Sequence, residues 1–138
     1  MNISQFSKKY GLSLDTLRFY EKCEILIPDR LTNGYRNYQD IHEQKIKLII
    51  SLKSIGFTLE EIKQLIELET KPPSEQCNII SNQLIDKKIE IISQQIKLLE
   101  YGKDTLYDVK KYIKDNSFVK NQEKIKKIIE NLYNFAKN

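Results

Sequence analysis

The stretch GLSLDTLRFYEKCEILIPDRLTNGYRNYQD, residues 11–40, decides the fold. Ser13 reads as an N-cap whose hydroxyl accepts from a first-turn amide, and Asp15 sits favourably in the positive first turn. A helix is therefore expected from Leu14 to about Lys22. Upstream, Gly11 supplies the left-handed backbone that ends a short helix capped by Ser4 and running to about Lys9. Two short helices joined by a glycine-containing turn make a helix-turn-helix. Ile3, Phe6, Leu12, Leu14 and Leu17 form its inner face, leaving Asp15, Thr16, Arg18 and Lys22 outside. Ile25-Leu26-Ile27-Pro28 is too short for a helix. Asn33-Gly34 then signals a hairpin with a type I′ turn, which needs positive φ at both central residues. Alternation along the return strand puts Tyr35 and Asn37 on one face and Arg36 and Tyr38 on the other. A hairpin after a helix-turn-helix is a wing.

Downstream the signals are helical. Asp40 and Glu43 have capping-box spacing, and Ile41, Leu48, Ile49, Leu52 and Ile55 follow a helical period as far as Gly56. Thr58 and Glu61 repeat the capping box, with Phe57 and Ile62 placed as a hydrophobic staple over a helix that runs to about Glu69. Lys71-Pro72-Pro73 interrupts helix and marks a boundary. From Ser74, a candidate cap, a helix of roughly forty residues would extend about 60 Å. Along it Ile85, Ile89, Ile92, Ile96, Leu99, Leu106 and Ile113 fall on a 3-4 repeat, with Lys103 and Lys110 weakening the register near the end. That apolar stripe requires cover from a second copy of the chain or from residues 1–70 folded back upon it. The polar segment 114–122 precedes a last amphipathic helix bearing Ile125, Ile128, Ile129, Leu132, Tyr133 and Ala136 on one side.

The expected fold class is thus all-α with a small β-hairpin wing. It comprises a winged helix-turn-helix domain over residues 1–70, a linker and long antiparallel coiled-coil dimerisation helix over 71–113, and a loop and short C-terminal helix over 114–138. Composition agrees: of 138 residues 30% are charged, and glycine and proline number only 4 and 3. No stretch suits a membrane span or a signal peptide, so a cytoplasmic protein is expected. The net charge of +4 does not by itself select a nucleic-acid partner. Its distribution is uneven, with residues 1–56 at +3, residues 57–77 at −3 and residues 78–138 at +4. A DNA argument must rest on placed residues.

Those residues supply it. Met1-Asn2-Ile3-Ser4, Gly11-Leu12-Ser13, Thr16-Leu17-Arg18-Phe19-Tyr20-Glu21, Leu26, Pro28, Arg30, Asn33-Gly34-Tyr35-Arg36-Asn37-Tyr38 and Gly56-Phe57-Thr58-Leu59-Glu60-Glu61-Ile62 occur in order and in register. This half of the chain resembles the DNA-binding domain of the MerR family of bacterial transcription regulators. The pairing of Arg-Phe-Tyr-Glu with Gly-Tyr-Arg-x-Tyr is the specific part. Residues 74–113 resemble the family's dimerisation helix by position and pattern.

The resemblance implies that the second helix enters the major groove with Thr16 and Asp15 near base edges, and that Arg18 and Tyr20 bond phosphates. On the wing, Asn33, Tyr35, Arg36 and Tyr38 would hold the flanking backbone, and Lys53 would reach another phosphate. Asp15 replaces a basic residue found in some relatives and is read as a helix-terminus charge. Glu24 stands where relatives usually have glycine, which puts the geometry of that turn in question. Packing readings stand beside these: Leu17 and Phe19 as core, Tyr35 against the hairpin, Glu21 paired internally with an arginine.

The implied partners are double-stranded promoter DNA, a second copy of the chain and, through the shared promoter, RNA polymerase. The implied mechanism is distortion of a promoter spacer, switched by an effector that favours one dimer geometry. Cys77 lies where metal-sensing relatives place a ligand, but the segment 114–122 has neither cysteine nor histidine, and one thiol cannot build a soft-metal site. Cys77 and Cys23 can instead serve as redox-sensitive thiols or as inert packing. Small hydrophobic ligands near Tyr101, Tyr107, Tyr112, Phe118 and Phe135 are a further option, against ordinary core packing. No metal or other cofactor is called for. No nucleophile-base constellation or phosphate loop suggests an enzyme. A coiled-coil protein-interaction adaptor is the rival reading, and it leaves the two motif blocks without a purpose.

Overall fold

The computed structural model describes residues 1–114 and 119–138, which form two compact units, Met1–Leu84 and Ile85–Asn138. The first contains α1 (Ile3–Tyr10), α2 (Leu14–Lys22), β1 (Asp29–Arg30), β2 (Arg36–Asn37), α3 (Asp40–Ser54), α4 (Leu59–Thr70) and the start of α5 (Glu75–Ile113). The remainder of α5 and α6 (Gln122–Lys137) make the second. Among the described residues no helix is long and apolar enough to cross a membrane.

In the first unit the helix-turn-helix forms as expected, with Gly11 ending α1 at φ 64° and Ser13 Oγ accepting the Thr16 amide at 3.0 Å. The cap of α1 is Asn2 rather than Ser4. Its side chain takes the Gln5 amide at 2.9 Å while Gln5 accepts the Asn2 amide at 3.0 Å, a reciprocal box that a serine two residues later cannot make. The start of α3 also differs from expectation. His42 Nδ1 accepts the Gln39 amide at 2.9 Å, which sets the N-cap at Gln39, and Glu43 is drawn away to Lys9 and Tyr10 of α1. At α4 the Thr58–Glu61 box is present, and Phe57 and Ile62 are both buried.

The core of this unit joins Phe6 of α1, Leu17 and Tyr20 of α2, and Ile25 and Leu26 of the following loop. Tyr38, Ile46, Ile49, Phe57, Ile62 and Ile66 complete it. Tyr38 stacks on Phe6 with ring centroids 4.2 Å apart. The N-terminal residue is bound to the end of the wing, since Met1 N donates to the Tyr38 carbonyl and Tyr38 N to the Met1 carbonyl, both at 2.7 Å. The α1–α2 pair and the hairpin therefore share one core, which is what orients the wing.

The hairpin pairs Asp29 with Asn37 and Arg30 with Arg36. Its turn is not the two-residue type I′. Gly34 alone of the central pair has positive φ, 84°, while Gly34 N bonds Leu31 O at 2.8 Å and Leu31 N bonds Tyr35 O at 2.9 Å. This is the pattern of a three-residue loop with a left-handed glycine at its end. Asn33 uses its side chain instead, accepting the Tyr35 amide at 3.1 Å.

In the second unit Ile125, Ile128 and Leu132 of α6 are half-buried, and Tyr101 of α5 stacks on Phe135 of α6 at 4.3 Å. Thr105, buried on α5, donates to the Tyr101 carbonyl at 2.9 Å. Ile129 and Tyr133 of α6 stay exposed, so its apolar side is only partly used. At the start of α5, within the first unit, Ser74 caps the helix as expected, accepting the Cys77 amide at 3.1 Å.

Candidate nucleic-acid interface

α2 is amphipathic by spacing: Leu17 and Tyr20 fall on the core side, while Asp15, Arg18 and Phe19 are exposed and Thr16 is half-buried. The helix thus presents a short polar face with one aromatic ring. Phe19 corrects the packing expectation. It is 49% exposed, because Leu17 and Tyr20 already occupy the inward positions and Phe19 falls on the opposite side of the helix from Leu17. Thr16 Oγ1 lies 2.8 Å from Ser13 Oγ, so its hydroxyl is held at the helix start. Arg18 pairs with Asp15 at 3.1 Å; both side chains are largely exposed, so the pair is weak.

Of the expected phosphate-binding tyrosines, Tyr20 is 2% and Tyr38 1% exposed, and both belong to the core. Tyr35, in contrast, is exposed at the wing, as is Asn33. Lys53 is exposed near the end of α3. Burial raises the Tyr38 phenol above its ordinary value, and the nearby Glu21 charge adds to the effect.

α2 and the wing are joined by ion pairs. Glu21, in the last turn of α2, accepts Arg36 Nε at 2.5 Å with one oxygen and Arg30 Nη2 with the other. Arg30 Nη1 also donates to the Gly34 carbonyl at 3.1 Å, tying the turn to the strand. Burial alone would raise the Glu21 carboxyl, but hydrogen bonds and charge from Arg36 and Arg30 outweigh it and hold it below its ordinary value. A second cluster joins α1 to α3, where Glu43 accepts Lys9 Nζ at 2.5 Å and the Tyr10 hydroxyl. Arg30 and Phe19, which were not among the expected contact residues, lie on the same hairpin and helix as those residues. The signal for Arg30 was its cross-strand position opposite Arg36, visible once the hairpin register is written out.

The residues considered for an effector are dispersed. Cys77 is half-buried in the first turn of α5, and among the described residues no group of three His, Cys, Asp or Glu side chains is placed to hold a metal ion. Tyr101 and Phe135 meet, Tyr112 lies under Lys124 with Nζ 5.7 Å from the ring centroid, and Tyr107 is exposed; Phe118 lies outside the described residues. The stripe residues Ile85, Ile89, Ile96, Leu99, Leu106 and Ile113 are exposed, and Ile92 is half-buried.

The chain is similar to known proteins in sequence and fold. Residues 1–69 match the family described as MerR HTH family regulatory protein, and residues 43–109 match the description MerR, DNA binding. The HTH-type transcriptional regulator CueR of Yersinia pestis is 35% identical over 97 residues, 70% of this chain and 68% of that protein. A putative MerR family transcriptional regulator from Listeria monocytogenes has the same fold, with a TM-score of 0.69 at 23% identity over 95% of this chain and 98% of that one. HiNmlR, a MerR family regulator lacking the sensor domain and solved bound to promoter DNA, superposes with a TM-score of 0.56 at 27% identity. That match spans 79% of this chain and 91% of the other.

Proposed function

Because the chain belongs to the MerR family of HTH regulatory proteins and is a DNA-binding transcription regulator, we propose that it acts as a homodimer on promoter DNA. The reading is carried by the joining of α2 to a cationic wing through Glu21, which makes one continuous surface of a helix and a hairpin. Asp15, Thr16, Arg18 and Phe19 meet the major groove, with Thr16 near base edges and Arg18 on phosphate. Asn33, Tyr35, Arg36 and Lys53 hold flanking phosphates, while Tyr20 and Tyr38 shape the surface from within.

Two copies join along α5, covering the exposed stripe from Ile85 to Ile113, and so set the spacing of two reading heads on one face of the duplex. Holding both heads on a single duplex bends and untwists the spacer between them, at a cost that depends on its base steps. RNA polymerase is affected through the promoter both proteins share. The effector acts by binding one dimer geometry better than the other. Cys77 enters this reading as a thiol near a helix start, open to oxidants or electrophiles.

The test is selection of duplexes from a random pool on the purified protein, followed by binding measurements across a salt series. Arg36→Ala is expected to weaken binding to the selected and an unrelated duplex alike and to lower the salt slope by about one. Thr16→Ala should instead change which duplexes are preferred. If wild-type protein enriches no sequence, or if neither variant alters retention, the assignment fails.

A further inference from the structure

Glu21 touches α2, β1 and β2 through one carboxylate, and no other acidic side chain among the described residues pairs with both wing strands. Beyond the packing of Tyr38 in the core, such a contact ties the wing's charged strands to α2. The wing has strands of two residues each, and a two-stranded hairpin in water is marginal without packing or cross-links. Its cross-strand pair at this level is Arg30 opposite Arg36, and like charges in that position repel. Glu21 takes one hydrogen bond from each guanidinium and its charge offsets one of the two. A guanidinium has five N–H donors, so both arginines retain donors that neither Glu21 nor Gly34 uses.

We propose that Glu21 is a positioning residue: it sets the wing arginines at a defined offset from the reading helix while reducing their attraction for DNA in general. The proposal rests on the regulator reading above. A carboxylate beside two phosphate-binding cations repels any duplex, so in a non-specific complex its presence costs affinity. In a correctly registered complex that cost is exceeded by the gain from arginines already held where the phosphates fall, with less side-chain entropy left to lose. The two effects have opposite signs, and this separates positioning from plain electrostatics and from plain stability.

Glu21→Gln retains the side-chain length and one acceptor oxygen while removing the charge. Binding would be measured to a duplex selected from a random pool on wild-type protein, and to an unrelated duplex of equal length, with folding followed by far-UV circular dichroism. Glu21→Gln is expected to bind the unrelated duplex ~3-fold more tightly and the selected duplex ~10-fold more weakly. Glu21→Asp, which keeps the charge but shortens the reach, should lose ~5-fold on the selected duplex with the unrelated one within ~2-fold of wild type. Parallel changes on both duplexes, upward from charge alone or downward from a folding defect, overturn the proposal, as does an unchanged ratio in Glu21→Asp. If wild-type protein itself shows no preference for the selected duplex, the regulator reading falls and the positioning role with it. If wild type discriminates and the variants discriminate equally, only the positioning role falls.

Discussion

Tyr10, at the end of α1, donates its phenolic proton to the carboxylate of Glu43 on α3. Lys9 reaches the same carboxylate oxygen, so α1 is fastened to α3 by a neutral donor and a cation together. The contact joins α1 to α3 and includes no residue of α2. Its chemistry makes the docking of α1 sensitive to pH at both extremes.

Partial burial, then the hydrogen bond and charge of Glu43, push the Tyr10 phenol up to about 12 from an ordinary 10.0. Because the folded value is the higher one, the associated stability is complete below the ordinary value and is lost between pH 10.0 and about 12. Glu43 is held below its ordinary value by the Lys9 and Tyr10 hydrogen bonds, against partial desolvation, so its contribution is complete above that value and lost as pH falls through the lowered one. Ultraviolet titration of the phenolate band should show a late phase to which both Tyr10 and Tyr38 contribute, and the Tyr10 part should move back toward 10.0 in Glu43→Gln. If no part of the late phase moves on that substitution, the Tyr10–Glu43 contact is not its cause.

Glu24 is the one non-glycine position among the described residues with positive φ, 61°, and it follows α2 at the point where the chain turns toward the wing. An L side chain there costs roughly 1 kcal/mol relative to glycine. The ion pair it makes with Lys63, at 3.8 Å with the Glu24 side chain 73% exposed, offsets little of this. Glu24→Gly is therefore expected to raise unfolding stability by about 0.5 kcal/mol, after the added entropy of the unfolded chain, in denaturant melts at fixed protein concentration. A loss of stability would show that the side chain contributes more than its ion pair.

The Tyr38 hydroxyl is buried and has no hydrogen-bond partner among the described residues. Removing it relieves an unsatisfied polar group while preserving the stack on Phe6. Tyr38→Phe should thus hold or raise stability by up to about 1 kcal/mol and leave the affinity for a selected duplex within about twofold. A tenfold weakening at unchanged stability would return Tyr38 to the phosphate role that its place in the motif suggested.

Leu99 and Leu106 are 72% and 67% exposed in the single chain, on the stripe assigned to the second copy. Leu99→Glu would place two charges in a dimer seam and should raise the dissociation constant of the dimer at least ~100-fold by sedimentation equilibrium. The helix itself should survive in circular dichroism. Specific binding should fall with dimer content, whereas a dimer indifferent to the change would move the interface to another face of α5 or to α6.

Most of the first unit was legible from local signals. Gly11 and Ser13 bound the helix-turn-helix, Thr58 and Glu61 start α4, and two prolines separate α4 from α5, because caps and breakers act within a few residues and leave a readable spacing. Where several polar residues stood near one helix start, the choice among them was not local. Asn2 displaced Ser4, and His42 displaced Glu43 because α1 offered Glu43 better partners.

The site divides in the same way. Sequence alone determined that α2 is the second helix of a helix-turn-helix, that a hairpin wing follows it, and that α5 carries a regular apolar stripe, since periodicity and capping are written in neighbouring residues. Only the tertiary structure decided that Phe19 faces outward, that Tyr20 and Tyr38 are core, and that Glu21 holds both wing arginines. Those outcomes depend on which side chains from distant segments compete for the same buried volume or the same carboxylate, and that competition exists only once the chain has folded.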